Sequence, residues 1–201
     1  MSELLITTEG LSLDAIEKHD LIKDSIRLDH KVIEHVSRCR MYLESKINEG
    51  DEAFYGINTG FGSLCNVVIS KSKLNELQHN LIRSHAAGMG EEVPKQLARL
   101  TLLLKIQNLS YGYSGVRVQL LERMVQLYNL GVSPVIYQQG SLGASGDLAP
   151  LAHLSLPLIG EGKVWYKGQQ IQTKKLFLQL GIEPLALTAK EGLALLNGTQ
   201  F

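Results

Sequence analysis

The segment QQGSLGASGDLAPLAH, residues 138–153, breaks a mostly helical pattern with glycines at positions 140, 143 and 146 and then enters an apolar run. Glycine is favoured where the backbone adopts conformations that other residues avoid, and it destabilises regular helices. The segment therefore predicts a tight, irregular bend directly before a helix. The bend has so little side-chain surface that packing against a core does not explain its composition.

Familiar glycine-rich motifs do not fit this bend. A nucleophile elbow needs glycine two residues after its serine, and Asp147 occupies that position. A phosphate-binding loop needs Gly-Lys-Ser/Thr before a helix, and a dinucleotide-binding loop needs three suitably spaced glycines after a strand; neither spacing occurs. An ordinary surface turn stays open as an interpretation of the glycines taken alone.

The triplet Ala144-Ser145-Gly146 supports a different interpretation, a self-formed reaction centre. A five-membered ring can close when a bend brings the glycine nitrogen against the carbonyl carbon two residues back, because glycine has no side chain to block the approach. Loss of one water from the ring and one from the Ser145 hydroxyl would leave a methylidene-imidazolone. That product is an electrophile that no coded side chain supplies.

The rest of the chain predicts a mainly α fold with irregular glycine-rich loops. Apolar residues recur at three- and four-residue steps in 28–50, 70–88, 94–110 and 116–134. Asp29 is expected to cap the first of these helices, and Pro94 to lie in the first turn of the third. The segment KVWYKGQQIQT, residues 163–173, predicts a small β-hairpin that turns at Gly168.

Composition limits the class of protein. The chain has 201 residues, of which 44% are hydrophobic, and its 20 basic side chains balance 20 acidic ones. These values predict one globular domain with a sizeable core and no field that attracts nucleic acid or an anionic membrane. No signal-like start, long apolar run, disulfide framework or metal-ligand spacing is found, so the sequence predicts a cytoplasmic protein with a small-molecule or protein partner.

Four segments together resemble one family of enzymes. GSLGASGDLAPLAH, YGINTGFG, NLIRSHAAGMG and KEGLALLNGTQ are similar, in order and spacing, to segments of the aromatic amino acid ammonia-lyases and aminomutases. The resemblance implies the helical amino-terminal domain of the ammonia-lyase fold. It also implies that Ala144-Ser145-Gly146 forms 4-methylidene-imidazol-5-one autocatalytically, without a metal or a nucleotide.

The resemblance assigns roles to further residues. Tyr55 matches a tyrosine expected to act as acid or base over the electrophile, in a loop shaped by Asn58 and Gly60. A phenol has a pKa of about 10, so this role requires a strongly perturbed site. A loop tyrosine that packs on the core is the alternative. Asp147 is expected to cap the next helix or to assist ring closure.

Substrate contacts are implied at two other places. Ser84-His85 is similar to the pair in histidine-specific members, which implies that His85 binds the imidazole of L-histidine and that the products are trans-urocanate and ammonia. Periodicity alone would make His85 a core histidine beside Leu81. Asn197 matches an asparagine near the electrophile and the substrate amine, with Gln200 as a weaker candidate, although Asn-Gly is more often a turn.

The resemblance also bears on the extent of the protein. Residues 1–201 correspond to a single amino-terminal domain bearing the electrophile, without the central helical bundle and the carboxy-terminal part of family members. The apolar run before Asn197 is expected to continue as a helix, and the chain to be a fragment with little activity alone. A homotetramer is implied for the complete protein. A tyrosine or phenylalanine lyase, an aminomutase and a non-catalytic module with the same fold remain alternatives.

Overall fold

The computed structural model describes residues 2–49, 54, 56–59, 69–70, 73–140 and 145–201. Within these ranges the fold is mainly α, which confirms the predicted class. The helices are α1 (Leu13–Lys18), α2 (His30–Glu49), α3 (Leu74–His85), α4 (Lys95–Ser110), α5 (Val118–Asn129), α6 (Leu148–Ser155), α7 (Thr173–Leu180) and α8 (Glu191–Leu196).

Short strands connect and cover the helices. They are β1 (Glu3–Ile6), β2 (Ser25–Leu28), β3 (Met89–Glu92), β4 (Ser133–Pro134), β5 (Tyr137–Gln139), β6 (Lys163–Tyr166) and β7 (Gln169–Gln172). β1 pairs with β2 in parallel, β3 pairs with β5 antiparallel, and β4, β6 and β7 form an antiparallel sheet in that order. The parallel β1–β2 pair was not predicted from the sequence.

The predicted hairpin is confirmed, and its turn explains why the sequence places glycine there. Lys167 and Gly168 join β6 to β7 with φ values of 47° and 80°. Two successive left-handed residues give the turn type whose twist matches that of an antiparallel pair, and glycine adopts this conformation without a steric penalty.

Helix boundaries follow local chemistry close to the predicted positions. The Oδ1 atom of Asp29 accepts a hydrogen bond from the Lys31 amide at 2.8 Å, which confirms Asp29 as the cap of α2. Pro94 precedes α4 in the N-cap position, one residue before the expected first turn. α5 ends at Asn129, and Gly131 then takes a φ of 73°, so the chain leaves the helix where predicted.

α4 lies at the centre of the core and packs against α2, α5 and β4. Its apolar residues Leu103, Ile106 and Leu109 are fully buried. Several polar side chains on the same helix are also buried, and these bond to main-chain carbonyls; for example, the Gln107 amide donates to Thr7 O at 2.8 Å. A helix buried on most sides must satisfy its polar groups internally, because water does not reach them.

Helices α3, α6 and α8 pack against one another and position the segments with candidate site residues. The Gly192 amide donates to Gln78 Oε1 at 2.8 Å, and a Cβ added at Gly192 would lie 2.7 Å from the Gln78 carbonyl oxygen. Glycine therefore allows α8 to approach the backbone of α3 closely.

The expected continuation of the last helix is wrong. α8 ends at Leu196, and Asn197 has extended backbone angles, φ −87° and ψ 125°. The Asn197 carbonyl accepts a hydrogen bond from the Lys105 ammonium at 2.7 Å instead of continuing a helical ladder. The chain consequently crosses towards α4 and the start of α6.

Candidate active site

Ser145 and Gly146 lie in the bend before α6, and both are half-buried. Gly146 has a φ of 76°, and a Cβ added to it would meet no atom of the described residues within 4 Å. The Ser145 hydroxyl accepts a hydrogen bond from the Asp147 amide at 3.3 Å. Gly146 therefore adopts a left-handed conformation that a residue with a side chain rarely takes. Ala144 and Tyr55 lie outside the described residues.

Asp147 does not cap α6 with its side chain, although it occupies the N-cap position. Its Oδ2 atom instead accepts a hydrogen bond from the Phe201 amide at 2.9 Å. The capping prediction is therefore wrong, because the carboxylate is engaged by the segment that follows α8. This contact joins the exit of the Ala-Ser-Gly bend to residues 197–201.

Lys105 is a second link to the same segment and was missed by the sequence analysis. It is fully buried on α4, and its Nζ atom donates to Asn197 O at 2.7 Å. Burial lowers the pKa of Lys105 to about 7, while the negative charge of Asp147 acts in the opposite direction. The sequence indicates this burial only through a lysine inside the apolar run TLLLKI. The same pattern is typical of a lysine whose aliphatic part packs on the core and whose ammonium reaches water.

The side chain of Asn197 is exposed, and it makes no hydrogen bond to the described part of the chain. Its main chain is held at both ends, because the amide donates to Leu193 O at 3.0 Å and the carbonyl accepts from Lys105. A fixed backbone with an unengaged amide suits a ligand-binding asparagine. Gln200 is half-buried, and its Oε1 atom has no hydrogen-bond partner among the described residues.

His85 ends α3 in a defined orientation. Its Nδ1 atom lies 2.8 Å from Leu81 O, and the Ser84 hydroxyl lies 3.1 Å from the same nitrogen. A carbonyl only accepts hydrogen bonds, so Nδ1 carries the proton and donates. Nε2 has no hydrogen-bond partner in the described ranges and can serve a ligand.

The residues around His85 form a cavity of about 180 Å³. It is lined by Ser84, His85, Ala87, Gly140, Leu148 and Ala149. Gly140 and Leu148 flank the Ala-Ser-Gly bend on its two sides in the sequence. The cavity therefore brings His85 together with both ends of the segment that was predicted to form the electrophile.

His153 fixes one border of this region. Its Nε2 atom accepts a hydrogen bond from the Gly88 amide at 2.9 Å, and burial lowers the pKa of its imidazole. A Cβ added at Gly88 would lie 3.0 Å from the His153 ring. His153 thus supports the chain that leaves α3 after His85.

The loop around position 55 is described at residues 54 and 56–59. The Asn58 Oδ1 atom accepts from the Phe54 amide at 2.7 Å, and the Asn58 carbonyl accepts from the Ile69 amide at 2.8 Å. The prediction that Asn58 shapes this loop is confirmed, whereas Gly60 lies outside the described residues.

A larger cleft of about 440 Å³ lies elsewhere, and none of the predicted site residues that the structure describes lines it. It lies beside Lys95, whose ammonium is 3.5 Å from the centre of the Trp165 ring. No helix within the described ranges is both long and apolar enough to cross a membrane. The same ranges contain no group of three or more His, Cys, Asp or Glu side chains that could hold a metal ion.

The structure is a helical scaffold in which Gly140 and Leu148, on either side of the bend, line one cavity with His85, in agreement with the resemblance to ammonia-lyases and aminomutases. The sequence model of the aromatic amino acid lyases matches residues 11–201. The chain therefore belongs to the aromatic amino acid lyase family.

Three individual proteins illustrate the similarity. The chain is 51% identical over 178 residues to a histidine ammonia-lyase of Deinococcus radiodurans, covering 89% of this chain and 34% of that protein. The histidine ammonia-lyase structure from Trypanosoma cruzi has a TM-score of 0.86 and 35% identity, covering 100% of this chain and 38% of that one. Tyrosine aminomutase from Streptomyces globisporus has a TM-score of 0.88 and 36% identity, covering 98% and 37%. The chain thus spans less than two fifths of each relative.

Proposed function

We propose that the chain is part of a histidine ammonia-lyase, which eliminates ammonia from L-histidine to give trans-urocanate. The observation that carries the proposal is the orientation of His85. Its Nδ1 atom donates to Leu81 O, and it lines the cavity that reaches both flanks of the Ala-Ser-Gly bend. In the neutral ring, Nε2 can accept a hydrogen bond from an N–H group of a substrate imidazole.

The bend fits the family's self-formed group. Gly146 is left-handed, with open space where a side chain would lie, and Ser145 carries the hydroxyl that must be lost. A methylidene-imidazolone built from Ala144, Ser145 and Gly146 would supply an electrophile for the substrate amine, which makes ammonia a better leaving group.

The remaining roles belong to side chains of this chain. Asn197 would hold the substrate amino group with an amide that the described residues leave unengaged. Tyr55 would accept or return a proton at its phenol oxygen. His85 would orient the imidazole and so fix the substrate relative to the bend.

The complete protein is proposed to act as a cytoplasmic homotetramer. Residues 1–201 would form its amino-terminal domain, and groups from later in the chain and from neighbouring subunits would complete the site. On this proposal the 201 residues alone have little or no lyase activity. That these residues form only part of the active enzyme is supported by the share of each relative that the chain covers.

A second candidate is an enzyme of the same chemistry with another substrate. It is favoured by the solved tyrosine aminomutase, whose identity and TM-score are as high as those of the solved histidine ammonia-lyase. The two candidates differ at His85, because a tyrosine or phenylalanine side chain gives its Nε2 atom no imidazole partner.

Replacement of His85 tests the choice of substrate. In the complete protein, His85→Leu should raise the KM for L-histidine at least about ten-fold, because loss of a hydrogen bond to a buried polar group costs roughly 1–3 kcal/mol. Urocanate formation, followed by its ultraviolet absorbance, measures the effect. His30→Leu is the matched control, because the His30 side chain is 73% exposed on α2. Unchanged histidine kinetics in His85→Leu would favour the second candidate.

Mass spectrometry tests the electrophile. The peptide that spans residues 141–147 should be lighter than its sequence mass by two waters, and nucleophiles should bleach a near-ultraviolet absorbance of the protein. Ser145→Ala should keep the fold and lose both signatures. An unmodified Ser145 in the complete, folded protein would instead indicate a non-catalytic module.

A further inference from the structure

We propose that Lys105 is a positioning residue that holds residues 197–201 against the exit of the Ala-Ser-Gly bend. The inference deepens the proposed function and rests on it for the role of Asn197. Lys105 bonds to this segment from α4, and Asp147 bonds to it from the start of α6. We call the arrangement of Lys105, Asp147, Asn197 and Phe201 the clamp.

The burial of Lys105 calls for an explanation beyond packing. Its side chain is fully buried beside apolar residues of α4 such as Leu102 and Ile106, and no ion pair to it occurs in the described ranges. A lysine is rarely buried without a carboxylate partner, because transfer of its charge from water is costly. A methionine or leucine would fill the same volume without that cost.

The contacts of the clamp indicate a structural role for Lys105. Its Nζ atom donates to Asn197 O at 2.7 Å, directly where α8 ends. Four residues later, the Phe201 amide donates to Asp147 Oδ2 at 2.9 Å. The segment 197–201 is thus attached at one end to α4 and at the other to the residue that follows Gly146.

Electrostatics connect the two attachments. Asp147 is the charged group that acts on Lys105 among the described residues, and it raises the pKa of Lys105 while the larger effect of burial lowers it. The carboxylate therefore partly compensates the buried ammonium, and removal of Lys105 would leave Asp147 buried with less positive charge nearby. Loss of the lysine should loosen both ends of the segment.

Amide hydrogen exchange tests the clamp directly. The complete protein with its native continuation should be compared with Lys105→Met and Lys105→Gln. In Lys105→Met, exchange at the Phe201 amide should accelerate at least about ten-fold, because loss of the hydrogen bond to Asn197 O would free one end of the segment. In Lys105→Gln, the side-chain amide can still donate to Asn197 O, so exchange and kcat should recover at least in part.

Kinetics and controls complete the test. The kcat for L-histidine should fall at least about ten-fold in Lys105→Met, whereas Lys175→Met, an exposed lysine on α7, should leave it unchanged. Unchanged exchange of the Phe201 amide in a folded Lys105→Met protein would overturn the clamp. If Lys105→Met does not fold, the deciding variant is Lys105→Gln. The clamp is then overturned when the Phe201 amide of Lys105→Gln exchanges as fast as in the fully unfolded chain. The exchange measurement needs no substrate, so it tests the clamp independently of the proposed function. A wild-type protein that fails to convert histidine would refute the proposed function, and amide exchange would still decide whether the clamp exists.

Discussion

At the scale of single residues, the neighbourhood of the bend depends on backbone positions that only glycine occupies easily. Gly140 has a φ of 104°, and a Cβ added to it would lie 3.1 Å from the Ala87 carbonyl oxygen. Ala87 follows His85 in the chain, and both residues line the cavity. Glycine at position 140 therefore allows the entry of the bend to approach the backbone that follows α3 closely.

Substitution of Gly140 should be costly for two reasons that add. Gly140→Ala combines an unfavourable φ with a close contact, so we expect a loss of roughly 2 kcal/mol or more in the free energy of unfolding. Gly181→Ala is the control, because its φ is 65° and an added Cβ meets nothing within 4 Å. That variant should lose only about 1 kcal/mol. Urea denaturation of both variants measures the difference, and equal losses would show that the contact with Ala87 does not matter.

Some of these residues could be identified from the sequence and others could not. The triplet around Ser145 is visible because its chemistry depends on consecutive residues. The orientation of His85 is not, because helical periodicity places it beside Leu81 and says nothing about which ring nitrogen is bonded. The contacts of Lys105 and His153 could not be predicted, because their partners, Asn197 and Gly88, are distant in sequence.

At the scale of elements, one buried ion pair fixes the start of α8. Glu191 is fully buried, and its carboxylate accepts from Arg117 Nε at 2.9 Å and from Arg117 Nη2 at 2.8 Å. The Thr188 amide donates to the same carboxylate at 2.8 Å. This network ties α8 to the residue that precedes α5, and it thereby sets the position of Asn197 at the other end of α8.

Removal of the arginine should be far more damaging here than at the surface. Arg117→Met would leave the buried Glu191 carboxylate without its cation, with an expected loss of about 3–5 kcal/mol in the free energy of unfolding. Arg83 makes a similar two-point contact with Glu161, but the side chains are 49% and 37% exposed. Arg83→Met should therefore cost at most about 1 kcal/mol. Similar losses in the two variants would contradict the role assigned to burial.

The helices and the hairpin were predictable because each carries its own signal. The periodic apolar residues of α2 and the turn at Gly168 depend on local sequence, and the structure confirms both. The β1–β2 pair and the end of α8 at Leu196 depend on distant partners, so local patterns could not give them. For the same reason, the engagement of Asp147 by Phe201 replaced the predicted cap.

At the scale of the whole molecule, the charges balance, with 20 basic and 20 acidic side chains. Net charge therefore gives little reason for stability to vary with pH, and buried bases should dominate. Burial is the largest influence on the pKa values of His19, His79, His153 and Lys105, and it lowers each of them. All four side chains take up protons more readily in the unfolded chain than in the folded one.

The free energy of unfolding should consequently rise with pH over two ranges. The histidines have an unfolded-state pKa of 6.5, so their contribution is lost as the pH falls below that value. Lys105 has a pKa of about 7 in the folded protein and 10.5 in the unfolded chain, so its contribution grows as the pH rises between those values. Denaturation at about pH 5.5, 7 and 9 should show both increases. His153→Gln should weaken the first and Lys105→Met the second, whereas His30→Gln, at an exposed position, should change neither. A stability maximum near neutral pH that both variants retain would contradict the lowering of the His153 and Lys105 pKa values by burial.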